Sequence, residues 1–262
     1  MLISKISRGS VMDQIYLPKK RKGLQVGCFV AIEEIKTQSI IIPYYYNVSY
    51  IEPIKEEIIK SIFEFLKDEE NILVAGSFIE EGFSFEDLDL IIFGNSEGVK
   101  EFVKSNYGIN VHLIEINSND FHKGINTDPL FQMIGSKFIA KNRLILNMQN
   151  KIDFKLMDLA LVKSELILTN YEISSGSEKY KLLRNAFAIK RFIENKQVSK
   201  EFIDKDIENY FYNGFIKDFQ KNIIPLKDFQ KKFKRFYEAL FSQILDGIKK
   251  QEKIIKNNPR KS

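Results

Sequence analysis

The sequence predicts an α+β protein in three parts: a small N-terminal β-module over residues 1–48, an α/β core with a short mixed sheet over 49–125, and a helical bundle with a basic tail over 126–262. Three observations predict it. Short apolar runs, broken by a proline and a basic turn, fill the first 48 residues. Helix-period and strand-length apolar runs then alternate as far as Ile116. Beyond Asp120 the pattern is helical almost throughout, with breaks at Gly176 and Pro225.

In the first part, residues 14–17, 27–32 and 39–44 read as strands, and Pro18 with Lys19-Lys20-Arg21-Lys22-Gly23 separates the first two. This order of strand, proline, basic segment, Leu24-x-x-Gly27 and strand loosely resembles half of the swapped-hairpin DNA-binding module of prokaryotic transition-state regulators. The resemblance implies nucleic-acid contact through Lys19, Lys20, Arg21 and Lys22. A solvated basic hairpin accounts for the same residues.

In the core, Pro53 suits a first helical turn, and Ile58, Ile59, Ile62, Phe63 and Leu66 repeat at helical spacing. Residues 72–75 form a first apolar strand and 87–93 a second; 97–105 read as a helix and 109–116 as a third strand. Among the later segments, 153–169, 178–195 and 227–248 are long amphipathic helices, and the tail from Lys249 is expected to fray.

The chemistry concentrates in Ala75-Gly76-Ser77 and Asp87-Leu88-Asp89. Side chains alternate along a strand, so Asp87 and Asp89 project from one face. Such a pair resists burial unless positive charge sits between the acids, and a divalent metal supplies it. Gly76 and Ser77, ending the preceding strand, offer backbone amides and a hydroxyl where phosphate could rest.

The pattern of apolar strand, Gly76-Ser77, nine intervening residues and Asp87-x-Asp89 resembles the DNA polymerase β-like nucleotidyltransferase superfamily, closest to its prokaryotic minimal members. The resemblance covers roughly residues 55–125, and the order helix, strand, turn, strand, helix, strand agrees with that core. It implies a nucleotidyltransferase-type core in which Gly76 and Ser77 receive nucleotide phosphates. Asp87 and Asp89 would bind Mg²⁺, with two ions accommodated.

Members of the superfamily carry a third carboxylate on the neighbouring strand. Here His112 aligns with it, while Glu115 is the only acid in that strand and stands at odd spacing from His112. Either Glu115 serves as the third catalytic acid, or His112 replaces it, or the position is lost. After Ser77 the chain reads Phe78-Ile79-Glu80-Glu81, where relatives often place a phosphate-contacting donor; both acids are expected to face solvent. Basic residues for phosphate contacts stand later, at Lys137, Lys141, Arg143, Lys181, Arg184 and Arg191.

Other classes are excluded or left without support. One cysteine, Cys28, rules out an intrachain disulfide or a Cys-based zinc site. The two histidines, His112 and His122, leave the region beyond Asp128 without the Arg-x₄₋₆-His motif of helical ribonuclease toxins that accompany minimal transferases. No apolar run reaches a membrane-spanning length, and no signal-type segment opens the chain, so a cytoplasmic protein without membrane contact is expected.

The expected activity is transfer of a nucleoside monophosphate from an NTP, with ATP the default donor, to a hydroxyl on protein, RNA or a small molecule. The alternative is a catalytically silent regulator or antitoxin-like partner on the same scaffold. The modest net charge of +5 permits nucleic-acid contact without demanding it.

Overall fold

A computed structural model describes residues 6–8, 11–12, 14–15, 26 and 41–257. Its contacts divide the chain between Ile40 and Ile41. In the first unit β1 (Ile6–Ser7) pairs antiparallel with β2 (Gln14–Ile15). The basic turn at 19–22 and the strand expected at 27–32 lie outside the described residues.

The second unit is mixed α+β. Its sheet has five strands: β3 (Tyr44–Tyr46), β4 (Asn71–Ala75), β5 (Asp87–Phe93), β6 (Asn110–Glu115) and β7 (Phe138–Ala140), in the spatial order β3-β7-β4-β5-β6. The β5–β6 pair is parallel and the other pairs are antiparallel. A parallel pair needs a crossover, supplied by α2 (Val99–Tyr107). That helix stops at Gly108, whose φ of +70° takes the left-handed conformation that ends helices.

Alternation along β5 sorts its side chains between two layers. Leu88, Leu90 and Ile92 join Ile59, Ile62 and Phe63 of α1 (Pro53–Phe65) and Val99 and Val103 of α2 in one apolar cluster. Ile91 and Phe93 pack on the other face with Leu73 and with Phe121 and Ile125 of α3 (Ser118–Thr127). Each large side chain so buried contributes about 1.5–3 kcal/mol relative to exposure. Asp87 and Asp89 share the α3 face by parity, at the end of β5 that this cluster leaves open.

The bundle comprises α5 (Phe154–Thr169), α6 (Gly176–Ile193), α7 (Lys200–Tyr210), α8 (Phe215–Gln220) and α9 (Leu226–Asn257) around a phenylalanine-rich core that includes Phe187, Phe215, Phe229 and Phe233. Leu130 and Met133 of α4 (Pro129–Ile134) pack against that core, which seats the bundle beside the α3–α4 face of the sheet. The start of α6 is fixed by a capping box: the Glu178 amide donates to Ser175 Oγ at 3.3 Å, and the Ser175 amide donates to Glu178 Oε2 at 2.8 Å. Gly176 has no room for a side chain, because a Cβ there would run into the Gln220 backbone at the end of α8.

Three boundaries differ from the sequence reading. The strand near residue 44 belongs to the main sheet, since Tyr44–Tyr46 pairs with β7, so the core begins before residue 49. The core also extends past residue 125, because β7 pairs between β3 and β4 within the sheet. Three apolar residues buried on both faces carry no period, so Phe138–Ala140 gave no strand signal within a helical stretch. Finally, α9 continues to Asn257 where fraying was expected from Lys249. Its Gln251 side chain donates to Ile152 O at 2.8 Å and accepts from the Phe154 amide at 3.3 Å, tying the last turns to the start of α5.

Candidate active site

The Gly-Ser and Asp-x-Asp segments meet because β4 and β5 are antiparallel neighbours with Ala75 opposite Asp89. Gly76 begins a single 3₁₀ turn (Gly76–Ile79) at a φ of +76°. A Cβ at Gly76 would overlap the Asp89 carboxylate, so both backbone conformation and contact exclude any larger residue. Gly76 and Ser77 are exposed, while Asp87 and Asp89 are half-buried.

Across the parallel pair, His112 stands level with Asp89 and its Nδ1 hydrogen-bonds Asp89 Oδ1 at 2.8 Å. An ionised carboxylate only accepts, which assigns the proton of that bond to Nδ1. Glu115 lies on the opposite face of β6. Its Oε1 accepts from the Ser96 amide at 3.1 Å and from the Ser96 hydroxyl. The structure therefore brings Gly76, Ser77, Asp87, Asp89 and His112 together and leaves Glu115 elsewhere.

These residues form one wall of a cleft of about 1220 Å³. The opposite wall comes from α6 and α7, with Lys181, Arg184, Lys200 and Asp204 among its residues; Lys137, just before β7, also faces in. Lys141 does not: its ammonium donates to the Leu66, Lys67 and Glu69 carbonyls, at 3.1, 2.7 and 2.5 Å, where α1 ends. Arg191 donates to Asp206 Oδ2 at 2.6 Å and Gln197 O at 2.7 Å. Arg143 is exposed and does not line the cleft.

Glu80 departs from the sequence reading, which turned it to solvent. It follows the 3₁₀ turn and points into the cleft, where Oε2 accepts from Lys137 Nζ at 2.6 Å and Oε1 lies 3.7 Å from Lys200 Nζ. Burial works to raise its carboxyl, but the Lys137 hydrogen bond and the charge of Lys200 outweigh it and hold the group below its ordinary value. Nothing local in Ile79-Glu80-Glu81 distinguished the two acids; the distinction comes from residues far along the chain. Lys200 and Asp204 also escaped the sequence reading, since both stand on α7, a helix that lies between the segments singled out as helical.

On the helical wall Asp204 accepts from the Tyr180 hydroxyl. Burial raises its carboxyl despite that hydrogen bond and the charges of Lys200 and Arg184. A carboxyl raised in the folded state favours folding most when protonated, below its unfolded value, and that benefit is lost as pH rises through the folded value. Asp204→Asn is therefore expected to melt above the parent at pH 7. The difference should close as pH falls towards 4, read from melting curves of both proteins across that range.

No family model, curated protein or solved structure matches this chain. Among the described residues, no three His, Cys, Asp or Glu side chains form a group that could hold a metal ion, and no helix is long and apolar enough to cross a membrane. Mg²⁺ is commonly held by one or two carboxylates, with water and substrate phosphates completing its shell. Asp87 and Asp89 fit that donor set, and a pair so placed would take the ion with a phosphate ligand rather than alone.

Proposed function

We propose that this protein is a Mg²⁺-dependent nucleotidyltransferase on a nucleotidyltransferase-type core, moving a nucleoside monophosphate from an NTP to a hydroxyl. The observation that carries the reading is the contact between Gly76 and the Asp89 carboxylate, at the floor of a cleft with four basic side chains on its other sides. Phosphates would rest on the amides around Gly76 and the Ser77 hydroxyl, within reach of Asp87 and Asp89. Mg²⁺ bound by the two carboxylates would neutralise phosphate charge and favour ionisation of the attacking hydroxyl. The chain's own contribution is mostly positioning, which suffices for phosphoryl-type transfer. ATP is the donor we would try first, and protein, RNA and small molecules are the acceptor classes.

On the resemblance, His112 stands in place of a third acid; its Nδ1 is engaged with Asp89. The ring thereby orients the Asp89 carboxylate, and a neutral His112 would leave Nε2 to accept from an incoming hydroxyl. The absence of a carboxylate at this position also favours a second reading, a nucleotide-binding regulator without turnover.

Incubation with Mg²⁺, each α-³²P-labelled NTP and a cell extract as acceptor source separates the two readings. Label on protein, RNA or a small molecule supports the transferase and names its acceptor class. Nucleotide binding without label under any acceptor supports the regulator, and absence of nucleotide binding refutes both.

A further inference from the structure

Five carboxylates (Glu80, Asp87, Asp89, Glu201 and Asp204) line the cleft against four basic side chains (Lys137, Lys181, Arg184 and Lys200). A polyanion entering that balance needs a cation at Asp87 and Asp89 and free ammonium groups elsewhere. Two of the four cations, the ammoniums of Lys137 and Lys200, are already engaged by one carboxylate. Glu80 places one oxygen on Lys137, from the sheet side, and the other towards Lys200, at the first turn of α7. Among the described residues no other carboxylate of the cleft forms ion pairs with two basic side chains from different elements, although Asp204 lies in the field of Lys200 and Arg184.

We propose that Glu80 is a built-in counter-anion, standing between Lys137 and Lys200 where the polyphosphate of a ligand binds, and that its displacement sets the affinity and the anion selectivity of the cleft. One carboxylate spreads a single negative charge over two ammoniums. A triphosphate brings several, with more acceptor oxygens, and so competes for both lysines at once. Ligands lacking phosphate cannot displace Glu80 and gain nothing from the lysines. The chain geometry permits the exchange. Glu80 follows a short 3₁₀ turn, its backbone carbonyl is held by Lys55 at 2.6 Å, and only its side chain must swing away. The three side chains are 30–47% exposed, so the ion pairs are partly hydrated and individually weak, as an exchangeable contact requires.

The inference rests on the nucleotide reading for the identity of the ligand but not for the existence of the anion subsite. It is tested by calorimetric titration of the full chain, in Mg²⁺, with a non-hydrolysable ATP analogue, inorganic tripolyphosphate and adenosine. Glu80→Gln is expected to tighten the analogue and tripolyphosphate about threefold to tenfold, from loss of the competing ion pairs, and to leave adenosine unchanged. Lys137→Gln with Lys200→Gln should weaken both anions and abolish the gain from Glu80→Gln when the three are combined. Circular dichroism and melting curves verify that each variant is folded.

Unchanged or weaker anion binding in folded Glu80→Gln overturns the proposal. A gain that survives loss of both lysines also overturns it, and so does failure of tripolyphosphate to bind any variant. If tripolyphosphate follows the expected pattern while the ATP analogue does not bind, the subsite stands and the nucleotide reading falls. If the analogue binds through Asp87 and Asp89 but ignores positions 80, 137 and 200, the nucleotide reading stands and the subsite falls.

Discussion

Asp87→Asn combined with Asp89→Asn is expected to lose the proposed nucleotidyl transfer by roughly 10³-fold or more, since removing several kcal/mol of charge stabilisation costs one decade per 1.36 kcal/mol. Binding of Mg²⁺–nucleotide should fall with it. The fold should survive. Both acids are half-buried at the cleft, they sit outside the apolar clusters, and asparagine keeps an oxygen to accept from His112 Nδ1. Neutralising two neighbouring carboxylates removes their mutual repulsion, so the melting temperature is expected to stay level or rise. Binding by calorimetry and melting by circular dichroism check both halves. Undiminished Mg²⁺–nucleotide binding in the folded double variant would place the metal site elsewhere.

The acid pair was legible because it interrupts a strong pattern. Along Asp87–Phe93 every second residue is apolar and buried, so two polar side chains of one parity stand out on the opposite face. Gly76 was singled out with Ser77 as a place for phosphate to rest; its close approach to the Asp89 carboxylate, which excludes any side chain there, comes from the structure alone. The third strand was found, and the parity argument that separated Glu115 from His112 matches their placement on opposite faces of β6.

What escaped depends on long-range contact. Phe138–Ala140 becomes a strand only because β3 and β4 flank it on both edges. Glu80 becomes a cleft residue only because Lys137 and Lys200 converge on it from 57 and 120 positions away. Lys55 had a local signal that went unread. It precedes Ile58, Ile59 and Ile62 on the buried face of α1, where the helical repeat calls for an apolar residue. A lysine at that position announces either a broken pattern or a buried cation with partners.

The partners exist, and they make Lys55→Met the substitution with the largest expected cost in stability. Lys55 is 1% exposed. Its ammonium donates to Glu80 O at 2.6 Å and to Gly82 O, pairs with Glu52 Oε2 at 2.8 Å, and lies within 5.2–5.8 Å of the Phe78, Phe83 and Phe85 ring centres. Glu52 closes the cage by accepting from the Gly82 amide through Oε1 at 2.5 Å. Methionine fills most of the volume but donates nothing, so two carbonyls lose their partner at about 1–3 kcal/mol each. A melting temperature lower by on the order of 10 °C is expected.

The loop released is the one that carries Glu80 and follows Ser77, so affinity for tripolyphosphate should change as well. Lys141→Met supplies the comparison. That ammonium also satisfies buried carbonyls, but at the far end of α1 and away from the cleft. It should lower the melting temperature while leaving anion affinity at the parental value. Equal effects of the two variants on affinity would mean that Lys55 supports the fold as a whole rather than the geometry of the loop between Ser77 and Asp87.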